Sequence, residues 1–351
     1  MARSTCKTAR AIEAWFAANA RDLPWRRDRT PWRALVSELM LQQTQVARVL
    51  ERFEPFVQRF PTPLALAEAT EHDVLQMWQG LGYYRRARNL QKAAIVVVAQ
   101  YGGAVPVDVE SLLTLPGVGR YTAGSIASIV GGHAVPIVDG NVSRLLARLH
   151  CDDGAVEDAG FVRRMWARAT ALVERSAEPS LLNEGMMELG ARVCTPSGPA
   201  CGGCPIRQQC AARQASRQHE IPRPKRRAAS QVIHHHAVVI RRRGRWLVEK
   251  RPAGGLWGGL WQAPAVECPL ELGVEAIVER VPLPIANAVR VDTLTRKLTH
   301  RTVHLHVYEG TLCKGARVPA DEGLQWVRRG DLGELPLSSA AWAVLDLIDS
   351  H

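Results

Sequence analysis

Four cysteines, Cys194, Cys201, Cys204 and Cys210, fall within seventeen residues in the spacing C-x6-C-x2-C-x5-C. Pro196, Gly198, Pro199, Gly202, Gly203 and Pro205 crowd the same stretch. A segment so rich in turn formers has few apolar side chains with which to hold itself. Four thiolates around one inorganic centre would supply that constraint, either as an iron–sulfur cluster or as a structural Zn²⁺. A zinc ribbon brings two separate C-x2-C pairs, and this run has one. Spacing alone leaves both centres open.

The 351 residues suffice for two ordinary domains, and a hydrophobic content of 46% allows a sizeable core. No apolar run is long enough to span a bilayer, so no membrane association is expected. The opening MARSTCKTAR leads straight into helix-like AIEAWFAANA without an apolar signal core, so a cytoplasmic protein is expected. Eight cysteines in such a chain argue for metal ligation over disulfides. Cys6, Cys151, Cys268 and Cys313 receive no role. The net charge of +11 is spread over both halves and suits a polyanionic partner, most simply nucleic acid.

Residues 1–215 read as helical. Val36, Leu39, Met40, Val46, Val49, Leu50 and Phe53 recur at helix spacing, as do Leu90, Ala94, Val97 and Val98. Breaks at Pro61–Pro63, Gly102–Gly103 and Gly131–Gly132 cut the region into short helices. The polar, basic 216–230 stretch reads as an exposed linker. In 231–351, VIHHHAVVI, RWLVEK and HRTVHLHVYEG have strand character and AAWAVLDLID helix character, predicting an α+β domain. His234, His235 and His236 alternate faces on a strand, so three adjacent imidazoles do not converge on one ion.

LPGVGRYTAGSI, Leu115 to Ile126, places two glycines two apart after a proline and before a helix-forming stretch. That makes a tight turn between helices, whose backbone N–H groups suit a phosphate. It lacks G-x-x-x-x-G-K-[ST] and the third glycine of G-x-G-x-x-G, so it is no nucleotide loop. Some twenty residues on, PIVDGNVSRLLAR carries Asp139 and Asn141. On its own such an aspartate is a turn or cap residue.

Taken together, the hairpin and the cysteine spacing resemble the endonuclease III superfamily of base-excision DNA glycosylases, whose cysteine loop holds a [4Fe–4S] cluster. LPWRRDRTPWRALVSELMLQQTQVARV (Leu23 to Val49), GLGYYRRARNL (Gly80 to Leu90) and LNEGMMELGARVCTPSGPACGGCP (Leu182 to Pro205) extend the match. They resemble the MutY family of adenine DNA glycosylases over nearly all of residues 10–212. RPAGGLWGGLWQAP, Arg251 to Pro264, resembles that family's MutT/Nudix-like C-terminal domain. The acidic R-E-x-x-E-E helix of Nudix hydrolases is absent, so this domain reads as a recognition module.

The resemblance implies an all-α helix–hairpin–helix glycosylase domain with a cluster loop at 194–210, then an α+β MutT/Nudix-like domain that recognises the lesion. It makes Cys194, Cys201, Cys204 and Cys210 the cluster ligands, Glu38 the general acid and Asp139 the group facing the anomeric carbon. Tyr121 stands where bifunctional members carry a nucleophilic lysine. Tyr121 and Asn141 would support the catalytic pair. Leu23, Trp25, Arg26 and Glu184 would line the adenine pocket. Gln43 and Tyr83 would wedge into the duplex, with Leu115, Pro116, Gly117, Val118 and Gly119 gripping its backbone. The family's Phe-Ser-His loop for the opposite base is matched here by Leu298, Thr299 and His300, a departure at the stacking position. The partner implied is double-stranded DNA with adenine opposite 8-oxoguanine or guanine, bound by a monomer. The rivals are an endonuclease III-like lyase, which lacks its lysine here, and a non-catalytic DNA sensor, which needs neither Glu38 nor Asp139.

Overall fold

The computed structural model describes residues 2–225, 230–318 and 323–350. Its contacts divide the chain into one unit of Met1–Glu68 with Asn89–Arg226, and a second of Ala69–Arg88 with Arg227–His351.

The first unit is helical. Helix Pro31–Leu41 starts on a Thr30 cap whose side chain accepts from the Arg33 N–H, with Pro31 at its first position. Leu35, Val36, Leu39 and Met40 are fully buried. Ala34, Ser37, Glu38 and Leu41, at i, i+3, i+4 and i+7, form the other stripe and line a cleft. A second core joins Ile12, Leu145, Leu146, Leu149, Phe161, Met165, Leu182, Met186 and Leu189. It ties helices Gly140–Leu149, Ala159–Val173 and Pro179–Arg192 together and reaches Cys194 and Ile206 of the cysteine loop.

In the second unit a seven-stranded sheet is built around β1 (Gln231–Arg242). β2 (Arg245–Lys250), β3 (Trp261–Gln262) and β4 (Ala265–Cys268) follow, then β5 (Ile285–Lys297), β6 (Arg301–Leu312) and β7 (Leu324–Arg328). β1 runs parallel to β6 and antiparallel to β4 and β2. β5 and β6 form a hairpin whose turn is Leu298–His300. Along β1 the buried side chains alternate. Ala237 and Val239 pack with Val344, Leu345 and Ile348 of helix Ser339–Asp349. Val238 and Ile240 pack with Ile277 and Val281 at helix Val274–Arg280. A strand covered on both faces must be apolar throughout, which explains AVVI. The α+β reading of this region and the helical reading of the first are thus both found.

Two boundaries differ from the sequence reading. Residues 69–88, read as part of the helical domain, group with the second unit. His72, Gln76 and Gln79 reach the carbonyls of Glu334, Gly333 and Leu335 through side chains that no hydrophobic pattern reveals. The 216–230 stretch is not free throughout. Ile221 is buried, its carbonyl accepts from Arg148 Nε at 2.9 Å, and Arg223 pairs with Ala155. Residues 226–229 of that stretch lie outside the described residues. Among the described residues no helix is long and apolar enough to cross a membrane.

Candidate active site and cysteine loop

A cleft of about 1030 Å³, counted to its open mouth, lies within the helical unit. Each helix around it contributes one stripe. Pro31–Leu41 gives Ser37 and Glu38, and Arg120–Ile129 gives Tyr121 and Ser125 one turn apart. Pro179–Arg192 gives Glu184, Met187 and Glu188, while Asp139 and Asn141 stand at the start of Gly140–Leu149. Leu23, which precedes helix Pro24–Arg27, and Trp25 and Arg26 on it also line the cleft. All eight residues assigned to catalysis and the adenine pocket therefore share one cavity.

Removal from water among these walls pushes the Glu38 carboxyl up from 4.5 to about 7. Hydrogen bonds from Ser125 and Tyr121 pull it down, and the charges of Asp139 and Glu184 raise it further. Ser125 Oγ donates to Glu38 Oε1 at 2.6 Å. Burial also raises Asp139, against stabilising bonds from the Val142 N–H at 2.7 Å and Asn141 Nδ2 at 2.9 Å. Asp139 does cap its helix, as a lone Asp-Gly-Asn suggests, with its carboxylate in the cleft. Gly190 lets the helices close here: a Cβ on it would lie 2.7 Å from Asn141 Cβ and 2.8 Å from its carbonyl oxygen.

Arg26 and Glu184 are not free recognition groups. Arg26 Nε reaches Glu184 at 3.0 Å and Arg29 reaches it at 2.6 Å, while Arg21 and Arg26 hold Glu188. The buried Glu184 and Glu188 carboxylates and these part-exposed arginines form an ionic wall of the cavity. Ser125, Met187, Arg29 and Glu188 escaped the sequence reading. Ser125 was findable, since it lies at i+4 from Tyr121 on the same helix face.

The hairpin runs from helix Val109–Leu113 to Arg120–Ile129. Gly117 has φ +83°, and a Cβ there would meet Asn89 Cβ at 2.8 Å. Leu115 and Val118, expected on the DNA, instead bury their side chains, and the Val118 N–H turns inward to the Leu115 carbonyl. Pro116, Gly117 and Gly119 are the more exposed positions of the turn. Gln43 and Tyr83 both adopt left-handed backbones, φ 55° and 48°, rare for residues with side chains. Both are exposed. In the second unit, the Tyr83 hydroxyl is hydrogen-bonded to Thr299 Oγ1. Leu298, Thr299 and His300 are exposed at their turn.

Cys194, Cys201, Cys204 and Cys210 line one cavity with Arg148. Arg148 donates to the carbonyls of Cys194, Thr195 and Pro196, and its guanidinium lies 3.4 Å from Cys194 Sγ. Burial, and then the neighbouring cysteines, push the Cys204 thiol up to about 11. Four thiolates lining one cavity persist together only around a centre that takes up their charge. Among the described residues no three of these sulfurs lie within 4.8 Å of one another. Thiolates on one tetrahedral zinc would sit roughly 3.8 Å apart. The four sulfurs lining one cavity fit a four-thiolate inorganic centre.

Two family models match the chain: HhH-GPD superfamily base excision DNA repair protein over residues 36–168, and NUDIX domain over residues 235–347. The adenine DNA glycosylase of Buchnera aphidicola subsp. Schizaphis graminum is 30% identical over 292 residues, 83% of this chain and 84% of its own. The chain belongs to the adenine DNA glycosylase (MutY) family. The human member is 44% identical over 220 residues, covering 60% of this chain and 40% of its own. The rat member is 46% identical, covering 58% and 41%. The chain thus spans about two fifths of these two relatives. Among solved structures, a thermostable thymine-DNA glycosylase covers 61% of this chain and 98% of its own, with TM-score 0.55 and 24% identity. An endonuclease III–DNA complex covers 62% and 98%, with TM-score 0.52 and 24% identity. These two share the fold of the helical unit. Enzymes of the endonuclease III and MutY kind carry iron–sulfur centres, which suits the four-cysteine cavity.

Proposed function

We propose that this chain is a monofunctional adenine DNA glycosylase that removes adenine paired with 8-oxoguanine or guanine. One observation carries the reading: Glu38, its carboxyl held at about 7, shares a cavity with the helix-capping carboxylate of Asp139. Adenine is a poor leaving group as an anion. The target nucleotide leaves the duplex and enters the cleft. Protonated Glu38 delivers its proton to adenine N7 as the N-glycosidic bond breaks, and the base departs neutral. The sugar is left as an oxocarbenium ion beside the Asp139 carboxylate, which stabilises it. Water then adds to the anomeric carbon and gives its proton to a carboxylate of the pair. Tyr121 and Asn141 hold these carboxyls through hydrogen bonds and supply no amine for a Schiff base.

Cys194, Cys201, Cys204 and Cys210 would hold a [4Fe–4S] cluster. When bound it orders the loop and performs no step of hydrolysis. The exposed Gly117 and Gly119 of the hairpin turn and the net charge of +11 suit the DNA backbone, which is gripped without reading sequence. Thr299 and His300 would read the base opposite the adenine. A base-excision assay on A·8-oxoguanine, A·G and oxidised-pyrimidine duplexes tests the whole. Release of adenine from the first two supports it. Excision confined to the pyrimidine lesion would replace it with the endonuclease III-like reading.

A further inference from the structure

The three adjacent histidines of β1 do not converge with each other, but two meet histidines of β6. The parallel register sets His234 opposite His304 and His236 opposite His306, all on one face. His235 leaves by the other face to meet Glu267. His234 and His306 stack at 5.2 Å, with His234 Nδ1 and His306 Nε2 only 2.9 Å apart. One ring N–H bridges the two nitrogens, and the tautomer decides which ring donates. The segment after β4 folds over them: the Leu272 N–H reaches His236 Nε2 at 3.4 Å, and Glu271 Oε1 lies 3.8 Å from His306 Nδ1. One ligand atom each from His234, His306 and Glu271 lies within 4.8 Å of the others.

We propose that His234, His306 and Glu271 form a binding site for a divalent transition ion of the zinc class. Two imidazoles and one carboxylate are a common zinc donor set, with nitrogens ~2.0–2.1 Å from the metal. At tetrahedral angles those nitrogens lie roughly 3.3 Å apart, so the pair opens only slightly to admit the ion. One ring must move its N–H to its other nitrogen, so that both facing nitrogens offer a lone pair to the ion. His306 is buried and held by Thr293 at 3.1 Å, whereas Glu271 is half exposed and offers an entry path. His236 is less suited, because its ring already meets Tyr308 and the Leu272 N–H. His304, with its ring centroid 5.2 Å from that of His234, is the next donor outward. Arg290 opposes the ion, since it pairs with Glu271 at 2.6 Å.

The test uses the full chain with its cysteine loop loaded, Zn²⁺ as the only added probe, and equilibrium dialysis with metal analysis. One zinc per chain beyond the iron is expected, with a first shell of nitrogen and oxygen by X-ray absorption. Glu271→Gln and His234→Gln should each weaken binding at least ~10-fold, whereas Arg290→Gln should tighten it several-fold. Zinc should raise the melting temperature of the parent but not of the two weakened variants. Glu271 is exposed enough that its variant folds, which keeps the result readable if His234→Gln does not. Absence of bound zinc, a sulfur-dominated first shell, or unchanged affinity in Glu271→Gln overturns the site.

Discussion

Ser125 Oγ donates to Glu38 Oε1 across 2.6 Å, a direct link between the hairpin helix and the proposed acid. A hydroxyl donating to a carboxylate favours the charged form, so this bond holds the Glu38 pKa below the value that burial alone would set. Ser125→Ala should therefore move it above about 7. In the proposed mechanism adenine release needs protonated Glu38, so the alkaline limb of the single-turnover rate should shift to higher pH. A limb that stays in place would sever Ser125 from the acid.

Glu38→Gln should abolish adenine release by at least ~10²-fold while lesion-duplex binding survives, because the amide keeps the shape but cannot deliver a proton. Excision within a few-fold of the parent would remove Glu38 from the mechanism.

The same substitution has an opposite consequence for stability. A carboxyl whose folded pKa is raised contributes stability that is full below its unfolded value, near 4.5, and lost as pH rises through about 7. Glu38→Gln should thus match the parent at pH 4 and exceed it at pH 8, by up to ~3 kcal/mol. Urea titrations at the two pH values measure this directly. Equal stability at pH 8 would mean that the folded carboxyl is not desolvated.

Arg148 bridges the carbonyls of Cys194, Thr195, Pro196 and Ile221 from a buried position. The purified protein should be brown with about four irons per chain. Arg148→Met and Cys204→Ser should both lower iron content and DNA affinity. One zinc and no iron at the cysteine loop would overturn the cluster assignment.

What the sequence revealed and what it hid follow a physical line. Cys194 to Cys210 and Leu115 to Gly119 are local, so their spacing is visible in one stretch of chain. Glu38 and Asp139 looked bland alone and gained meaning only from the family resemblance. Arg148 closing on Ile221, Arg29 pairing with Glu184, and His234 meeting His306 are long-range side-chain contacts. No periodicity encodes them, because period reports which face is apolar and not which polar groups will meet. The reading of His234–His236 was right about alternation on one strand. It could not see the second strand that brings His304 and His306 alongside.

Tyr83, in a left-handed backbone conformation, contacts the Thr299 hydroxyl at the turn where this chain carries Leu298 in place of the family's phenylalanine. Leu298 cannot stack on a base, so under the proposed function discrimination of 8-oxoguanine at this turn would rest on hydrogen bonds from Thr299 and His300. One or two such bonds are worth ~1–3 kcal/mol, comparable with good base contacts elsewhere. Thr299→Val with His300→Ala should leave excision from A·G nearly intact and cut the preference for A·8-oxoguanine about 10-fold or more. Tyr83→Phe removes the bond that orients the Thr299 hydroxyl, so it should lower the same preference. Because the two residues share one bond, the loss in Tyr83→Phe with Thr299→Val should be smaller than the sum of the separate losses. Single-turnover rates on both duplexes give all four corners of that cycle. Strictly additive losses would mean that Tyr83 does not act through Thr299. An unchanged rate ratio in every variant would mean that this turn is not the reader of the opposite base.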